Sequence, residues 1–265
     1  MYYKFGIISE CLPGISPVDA LPKIREAGFD CFFTGRYHLE DVMALRRRAD
    51  EVGIEFETIH APFSGINRMW LAGMSYLGIY EQMKESIDSA AEAGVPTVVL
   101  HLSSGWSAPE ICDLGLARFD ELVVHAAHRG VTLAFENLRK IGNLAYIADR
   151  YEGMDNVRFC YDWGHEHCYT KTVDWMDIFC RRVACTHIHD NLGRGEEKAG
   201  DPDLHLLPFD GNTDYAHVMR KLEEYGYRGP LTLEVSAGVA EEYEKMSPEA
   251  FLAECHARLE RISKL

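Results

Sequence analysis

No two of the eight cysteines, Cys11, Cys31, Cys112, Cys160, Cys168, Cys180, Cys185 and Cys255, form a Cys-x-x-Cys pair. Their scatter argues against a disulfide scaffold and against a zinc–thiolate site. Most sit in apolar runs such as Val-Arg-Phe-Cys-Tyr, where a reduced cysteine serves as a small buried hydrophobe. Long hydrophobic runs are also missing: nothing approaches the ~18 consecutive apolar residues that cross a bilayer. The opening Met-Tyr-Tyr-Lys-Phe-Gly-Ile-Ile-Ser-Glu lacks the apolar stretch and small-residue cleavage site of a signal peptide. A cytoplasmic protein with no membrane partner is expected. Positive charge is scarce, with 27 Lys and Arg against 42 Asp and Glu for a net charge of −15, which disfavours polyanions such as DNA. The one basic run, Arg46-Arg47-Arg48, falls inside a helical pattern from Leu39 to Val52 and reads as a solvated face. No Gly-x-Gly-x-x-Gly loop follows the first strand-like run, so a doubly wound nucleotide-binding sheet has no support.

What fills the 265 residues is a regular alternation of short β-branched or aromatic runs with amphipathic stretches, unbroken by any linker. Strands are predicted at about 4–9, 31–34, 55–60, 97–102, 131–136, 157–162, 183–189 and 230–235, each followed by a helical pattern. Pro17 and Pro248 mark helix starts, and Gly28, Gly53, Gly94, Gly130 and Gly226 follow helices near their C-caps. Runs such as Thr97-Val98-Val99-Leu100 are apolar on both faces, as a strand is when helices cover one side and a packed interior the other. Eight such units in about 250 residues predict an α/β fold, a (β/α)8 TIM barrel, as a single domain over residues 1–265.

Barrels of this kind carry their active sites at the C-terminal ends of the strands. At or just past those ends stand His60, His101, Glu136, Asp162, His165, His187, Asp203, His205 and Glu234. Carboxylate and imidazole suit Mn²⁺, Zn²⁺, Co²⁺ or Mg²⁺. Glu136, Asp162, His187 and Glu234, from strands five to eight, form a natural first set with room left for substrate oxygens. Glu136 in Ala-Phe-Glu-Asn and Glu234 in Leu-Thr-Leu-Glu-Val interrupt buried strands, where an uncompensated carboxylate is costly. The others have plainer readings as well. His60 and His101 suit hydrogen-bonded histidines, Asp162 with His165 suits a helix cap, and Asp203 with His205 suits a solvated acidic loop. His187 and His189 face the same side of a strand, and only one is expected to bind metal directly. Trp70, Trp106 and Trp163 suit either sugar stacking or rim packing.

The ordered motifs His-Ala-Pro-Phe, Val-Val-Leu-His, Phe-Glu-Asn, Tyr-Asp-Trp-Gly-His, His-Ile-His-Asp-Asn, Asp-Leu-His-Leu-Leu-Pro-Phe-Asp-Gly and Leu-Thr-Leu-Glu-Val resemble the xylose isomerase-like superfamily over essentially the whole chain. That superfamily holds ketose 3-epimerases, sugar and hydroxypyruvate isomerases, inosose dehydratases and type IV apurinic endonucleases. The epimerase resemblance implies one ion on Glu136, Asp162, His187 and Glu234, with His165 contacting substrate. The endonuclease resemblance implies three: one on His60, His101 and Glu136, a second on Glu136, Asp162, His187 and Glu234, and a third on His165, Asp203 and His205. Charge separates the two. Residues 190–212 set Arg194 and Lys198 against Asp190, Glu196, Glu197, Asp201, Asp203 and Asp210; the loop 61–75 offers only Arg68, and 102–110 no Lys or Arg. Such loops suit metals and a small polyol, not a duplex.

The expectation is therefore a divalent-metal-dependent sugar isomerase or epimerase working by proton transfer through an enediolate, with Glu136 and Glu234 on opposite sides of the bowl as base and acid. A hydride shift is disfavoured, because no lysine stands at a strand end beside a second metal carboxylate. Arg194 is a candidate for neutralising charge or a substrate phosphate, or is simply solvated. The alternatives are a zinc-dependent phosphodiesterase, an inosose dehydratase-like lyase, and a non-catalytic sugar- or metal-binding regulator. A homo-oligomer is compatible with all of them.

Overall fold

The computed structural model describes residues 3–170, 172–194 and 202–265. Eight parallel strands run β1 (Phe5–Ile8), β2 (Cys31–Thr34), β3 (Glu55–His60), β4 (Thr97–Leu100), β5 (Thr132–Glu136), β6 (Val157–Asp162), β7 (Val183–His187) and β8 (Leu231–Leu233). From β1 to β7 each pairs with its sequence neighbours, and β1 also pairs with β8. The last seam closes through Ile188, whose N–H donates to Thr232 O at 2.9 Å and whose carbonyl accepts from Glu234 N at 3.0 Å. The result is the expected (β/α)8 barrel. Several strands are shorter than the apolar runs suggest, so His101 and Glu234 lie one residue past β4 and β8 rather than inside them.

Helices α1 (Pro17–Glu26), α2 (Leu39–Val52), α3 (Leu77–Ala93), α4 (Asp113–Arg129) and α5 (Ile141–Arg150) follow the first five strands. Two short helices, α6 (Trp163–Tyr169) and α7 (Trp175–Phe179), follow β6, and α8 (Tyr215–Glu224) follows β7 after a long segment. After β8 come α9 (Glu241–Glu244) and α10 (Pro248–Ile262). Ser16 and Ser247 cap α1 and α10 with Pro at the first turn, and Gly53, Gly94 and Gly130 close α2, α3 and α4 in the left-handed conformation. Arg46 and Arg48 pair with Asp50 and Glu51 along exposed α2, as a solvated face requires.

Two apolar regions result. The larger lies between strands and helices. The smaller, inside the barrel, is Val99, Ala134, Cys160 and Cys185, one residue pair below Glu136, Asp162 and His187 along the alternating strands. Six of the eight cysteines are buried and all are free thiols. This interior plug leaves no depth for side chains at the strand ends to sink into, so they converge at the mouth.

Loops after β3 and β4 are tied at that mouth by Trp70, whose Nε1–H donates to Leu102 O at 2.6 Å. Trp70 is 3% exposed and packs on Gly115 of α4, where a Cβ would stand 2.0 Å from the indole ring. Trp70 and Trp163 are thus packing residues. Gly115→Ala is expected to push Trp70 outward and cost about 1–3 kcal/mol, read as a lowered urea midpoint with an unchanged slope; full stability would show that the indole can shift freely.

Candidate metal centre

The strand ends bring all nine expected side chains into one bowl. Glu136 is its hub, with Oε2 lying 3.1 Å from His60 Nε2 and 2.7 Å from His101 Nε2, and Oε1 3.1 Å from His187 Nδ1. Glu234 Oε2 comes within 3.4 Å of the same His187 nitrogen. One donor atom each from Glu136, Asp162, His187 and Glu234 falls within 4.8 Å of the others, which is the spacing an ion needs. Glu136, at the end of β5, and Glu234, one residue past β8, thus each bring an oxygen to the same His187 nitrogen. Two further groups lie in the same bowl: His60 and His101 with the shared Glu136, and His165, His189, Asp203 and His205.

Hydrogen bonding shows what these groups require. His60 Nδ1 lies 2.8 Å from Ala61 O, His165 Nδ1 3.0 Å from Asn137 O, and His205 Nδ1 2.8 Å from Glu234 O. A carbonyl only accepts, so each Nδ1 carries the proton. Each neutral ring then turns a bare Nε2 toward a carboxylate oxygen: Glu136 Oε2 at 3.1 Å for His60, and Asp203 Oδ2 at 3.2 Å for His165 and 3.3 Å for His205. Lone pair against lone pair is repulsive unless a proton or a metal ion lies between them, and a backbone carbonyl behind the distal nitrogen is how metal-bound histidines are commonly oriented. The donor set fits a divalent cation.

The proton affinities express the same demand. Burial pulls the imidazoles down, and the surrounding carboxylates more than offset it at His60, His165, His187 and His205, lifting the last two to about 10. At His101 burial prevails and its pKa is lowered. Burial alone would raise the Glu136 carboxyl, but His187 and His101 hold it well below the usual range.

Aromatic faces fix several of the rings. Phe33 stacks on His187 at 4.5 Å, Phe63 on His101 at 4.4 Å, and Tyr169 on His165 at 5.1 Å. Asp162 plays both parts open to it, since it caps α6 by accepting from His165 N at 2.6 Å while its carboxylate joins the central group.

Several participants stand outside the nine. His189 is fully buried, with Nε2 3.2 Å from Asp162 and its ring stacked 3.9 Å from His205. It enters the outer group while His187 enters the central one, so the alternating pair serves two groups and not one. Gly164 makes room for it, because a Cβ there would meet the His189 ring at 2.0 Å. Asn137 clasps the Asp162 backbone on both sides at 2.7 Å. Arg139, just past β5, lines the cavity. Below the bowl, burial pushes the Glu57 carboxyl up to about 7, although it accepts from Thr232 Oγ1 at 2.7 Å.

Asp190 is a correction to the count of loop charges. It is fully buried, not part of an acidic surface. Its carboxylate accepts from the N–H groups of Asn191, Phe209, Gly211 and Thr213 and from Thr213 Oγ1, at 2.7–3.2 Å. With the backbone pair between Asp190 and Leu206, this knot returns the segment after β7 to the bowl and delivers Asp203 and His205. His205 itself has φ +49°, a conformation held by its surroundings. Of the loop charges counted from sequence, Glu196, Glu197, Lys198 and Asp201 lie outside the described residues. Arg194 is exposed, donating to Tyr169 O at 3.2 Å with its guanidinium 4.9 Å from the Trp106 ring.

A closed parallel barrel with a buried carboxylate–imidazole bowl at the C-terminal ends of its strands defines a TIM-barrel protein with a candidate divalent-metal centre. Residues 21–254 match the model of one family, and the chain belongs to it: the xylose isomerase-like TIM barrel family. An uncharacterised protein of Sinorhizobium fredii is 29% identical over 256 residues, covering 81% of this chain and 79% of its own. Another from Methanocaldococcus jannaschii is 25% identical over 251 residues, covering 87% and 83%. Among solved structures, a xylose isomerase domain protein from Planctomyces limnophilus superposes with TM-score 0.75 at 20% identity over 99% of this chain and 97% of that one. A D-tagatose 3-epimerase-like protein gives 0.73 at 22% over 98% of each. A Methylomonas D-allulose 3-epimerase in complex with D-allulose gives 0.74 at 13% over 98% and 96%. At these identities the likeness is one of fold.

Replacing Asp190 with Asn sets an amide N–H₂ against the donors that the carboxylate now satisfies. The variant is expected to lose about 2–4 kcal/mol in urea denaturation, against about 0.5 kcal/mol or less for Asp155→Asn on the exposed surface. Equal losses in the two variants would remove the knot from the argument.

Proposed function

We propose that this protein is a divalent-metal-dependent isomerase or epimerase of a ketose or related hydroxy-carbonyl compound. The observation that carries the reading is the pair Glu136 and Glu234, two carboxylates of one four-donor group that both line a cavity of about 310 Å³, the scale of a small-molecule site. Glu136, Asp162, His187 and Glu234 would hold the ion, and Mn²⁺, Zn²⁺, Co²⁺ and Mg²⁺ all suit these donors. Such an ion supplies Lewis-acid polarisation of neighbouring substrate oxygens. Glu136 and Glu234 exchange the proton α to the carbonyl, one as base and the other as acid. His165, lining the same cavity, holds a substrate oxygen. Phe63 and Leu138 give the cavity an apolar wall. The partner in this reading is a small sugar or polyol rather than nucleic acid. No helix of the described residues is long and apolar enough to cross a membrane.

A second reading, a multi-ion phosphodiesterase, is favoured by one specific observation: two further donor groups accompany the central one, and the His60–His101 group shares Glu136 with it. Metal analysis of protein purified without chelator separates the two. One ion per chain supports the isomerase, and three with cleavage of phosphodiesters support the nuclease type.

For the isomerase, incubation with a ketose panel in deuterated water is expected to show solvent label entering next to the carbonyl. Chelation is expected to abolish the exchange, and Glu136→Gln or Glu234→Gln to reduce it by about a hundredfold or more. Absence of metal-dependent exchange across the panel sinks the proposal.

A further inference from the structure

His189 is turned opposite to its neighbours. At His60, His165 and His205 a backbone carbonyl takes the Nδ1 proton and leaves Nε2 bare toward the carboxylates. Beside Nδ1 of His189, at 3.4 Å, stands instead the side-chain amide nitrogen of Asn191. That nitrogen also donates to Gly164 O at 3.1 Å, while the Asn191 amide oxygen accepts from Leu204 N. Turning the amide over would set its N–H₂ against an N–H and its oxygen against a carbonyl, so the two bonds fix its sense. An N–H₂ group only donates, and the His189 nitrogen that faces it is therefore the acceptor.

In a neutral imidazole the proton then sits on Nε2. Nε2 lies 3.2 Å from each oxygen of the Asp162 carboxylate, where a proton makes a hydrogen bond and a bare nitrogen would meet only lone pairs. Asp162 Oδ1 also accepts from His165 N at 2.6 Å, so the carboxylate is gripped from two directions. Asp162, His189 and Asn191 are all fully buried, and solvent does not compete for these bonds. Distance places His189 among the outer donors, yet the nitrogen it turns toward them carries its proton.

We propose that His189 is a positioning residue and not a metal ligand: donating from Nε2, with Asn191 fixing that tautomer, it holds the Asp162 carboxylate in the orientation the central ion needs. The outer donors are then three, His165, Asp203 and His205. Because Asn191 also holds Leu204, between Asp203 and His205, the segment that carries those two donors is tied to Asp162 through His189 and Asn191. The assignment rests on the metal reading of the central group and is independent of which reaction the ion serves.

Two measurements test it. The first is the tautomer, read in metal-free protein labelled with ¹⁵N-histidine from two-bond nitrogen–proton correlations, with His189 assigned by the signal that His189→Gln removes. A proton on Nε2 is expected; a proton on Nδ1 overturns the proposal whether or not the protein binds metal. The second is titration with Mn²⁺, followed by the paramagnetic resonance of the free ion. His189→Leu is expected to weaken the tightest-bound Mn²⁺ by about ten- to a hundredfold, and His189→Gln, whose amide can donate to Asp162, to recover part of that loss. Unchanged affinity in His189→Leu overturns the proposal. So does a variant that keeps the tight ion and loses a weaker second one, since that is the signature of a missing outer ligand. If the unaltered protein binds no Mn²⁺, the metal reading of the central group fails by itself, and the position of the proton still decides whether His189 donates to Asp162.

Discussion

A carboxylate buried at the centre of a barrel must be compensated, and Glu136 sets the terms for everything around it. At 1% exposure it carries a charge that hydration no longer stabilises, a penalty of several kcal/mol per ion even after relaxation. Three imidazoles within 3.1 Å answer it from β3, β4 and β7, yet Asp162 and Glu234 bring further negative charge into the same space. Histidines alone could balance this only by taking up extra protons, which is what their raised affinities describe. A divalent cation meets the same requirement with fewer buried charges, and the carbonyl-anchored Nδ1 positions leave the facing nitrogens as lone pairs ready for it.

The barrel is what makes such crowding affordable. Strands deliver Glu136, Asp162 and His187 on rigid backbone above a plug of small side chains, so the donors have little freedom to separate. The outer donors come from a different source. Asp203 and His205 belong to the long connection before α8, and Asp190 fixes that connection by gathering four backbone donors onto one buried carboxylate. The same segment therefore uses one acidic residue for architecture and another for the bowl, a division of roles that charge counting cannot see.

That difference explains how far the sequence alone could be read. The fold was legible because each strand is an apolar run and each helix carries its caps, and Glu136 and Glu234 stood out because a carboxylate inside such a run is an anomaly in the local pattern. His189 was harder to place: alternation puts it on the same side as His187, but only the packing of Gly164 and the returning loop makes space for both. Arg139 and Asn137 sit in the turn after β5, where no periodicity marks function. Asp190 looked like surface charge because its partners lie up to 23 residues further along the chain. Trp70 and Trp163, open to either reading as residues, are settled as packing by their burial.

Glu136 also links the number of ions to the chemistry. In the isomerase reading it must accept a proton from carbon, which requires basicity that its imidazole neighbours already lower. A second cation on His60 and His101 would draw on the same carboxylate and lower that basicity further. Filling the flanking group thus suits a reaction in which Glu136 is only a ligand, whereas a proton between His60 Nε2 and Glu136 in place of an ion leaves Glu136 closer to a base. His101, whose affinity for a proton is lowered by burial, stays neutral in that case and can donate to Glu136 without adding positive charge. Between these two readings, the state of the His60–His101 pair is the difference on one and the same set of side chains.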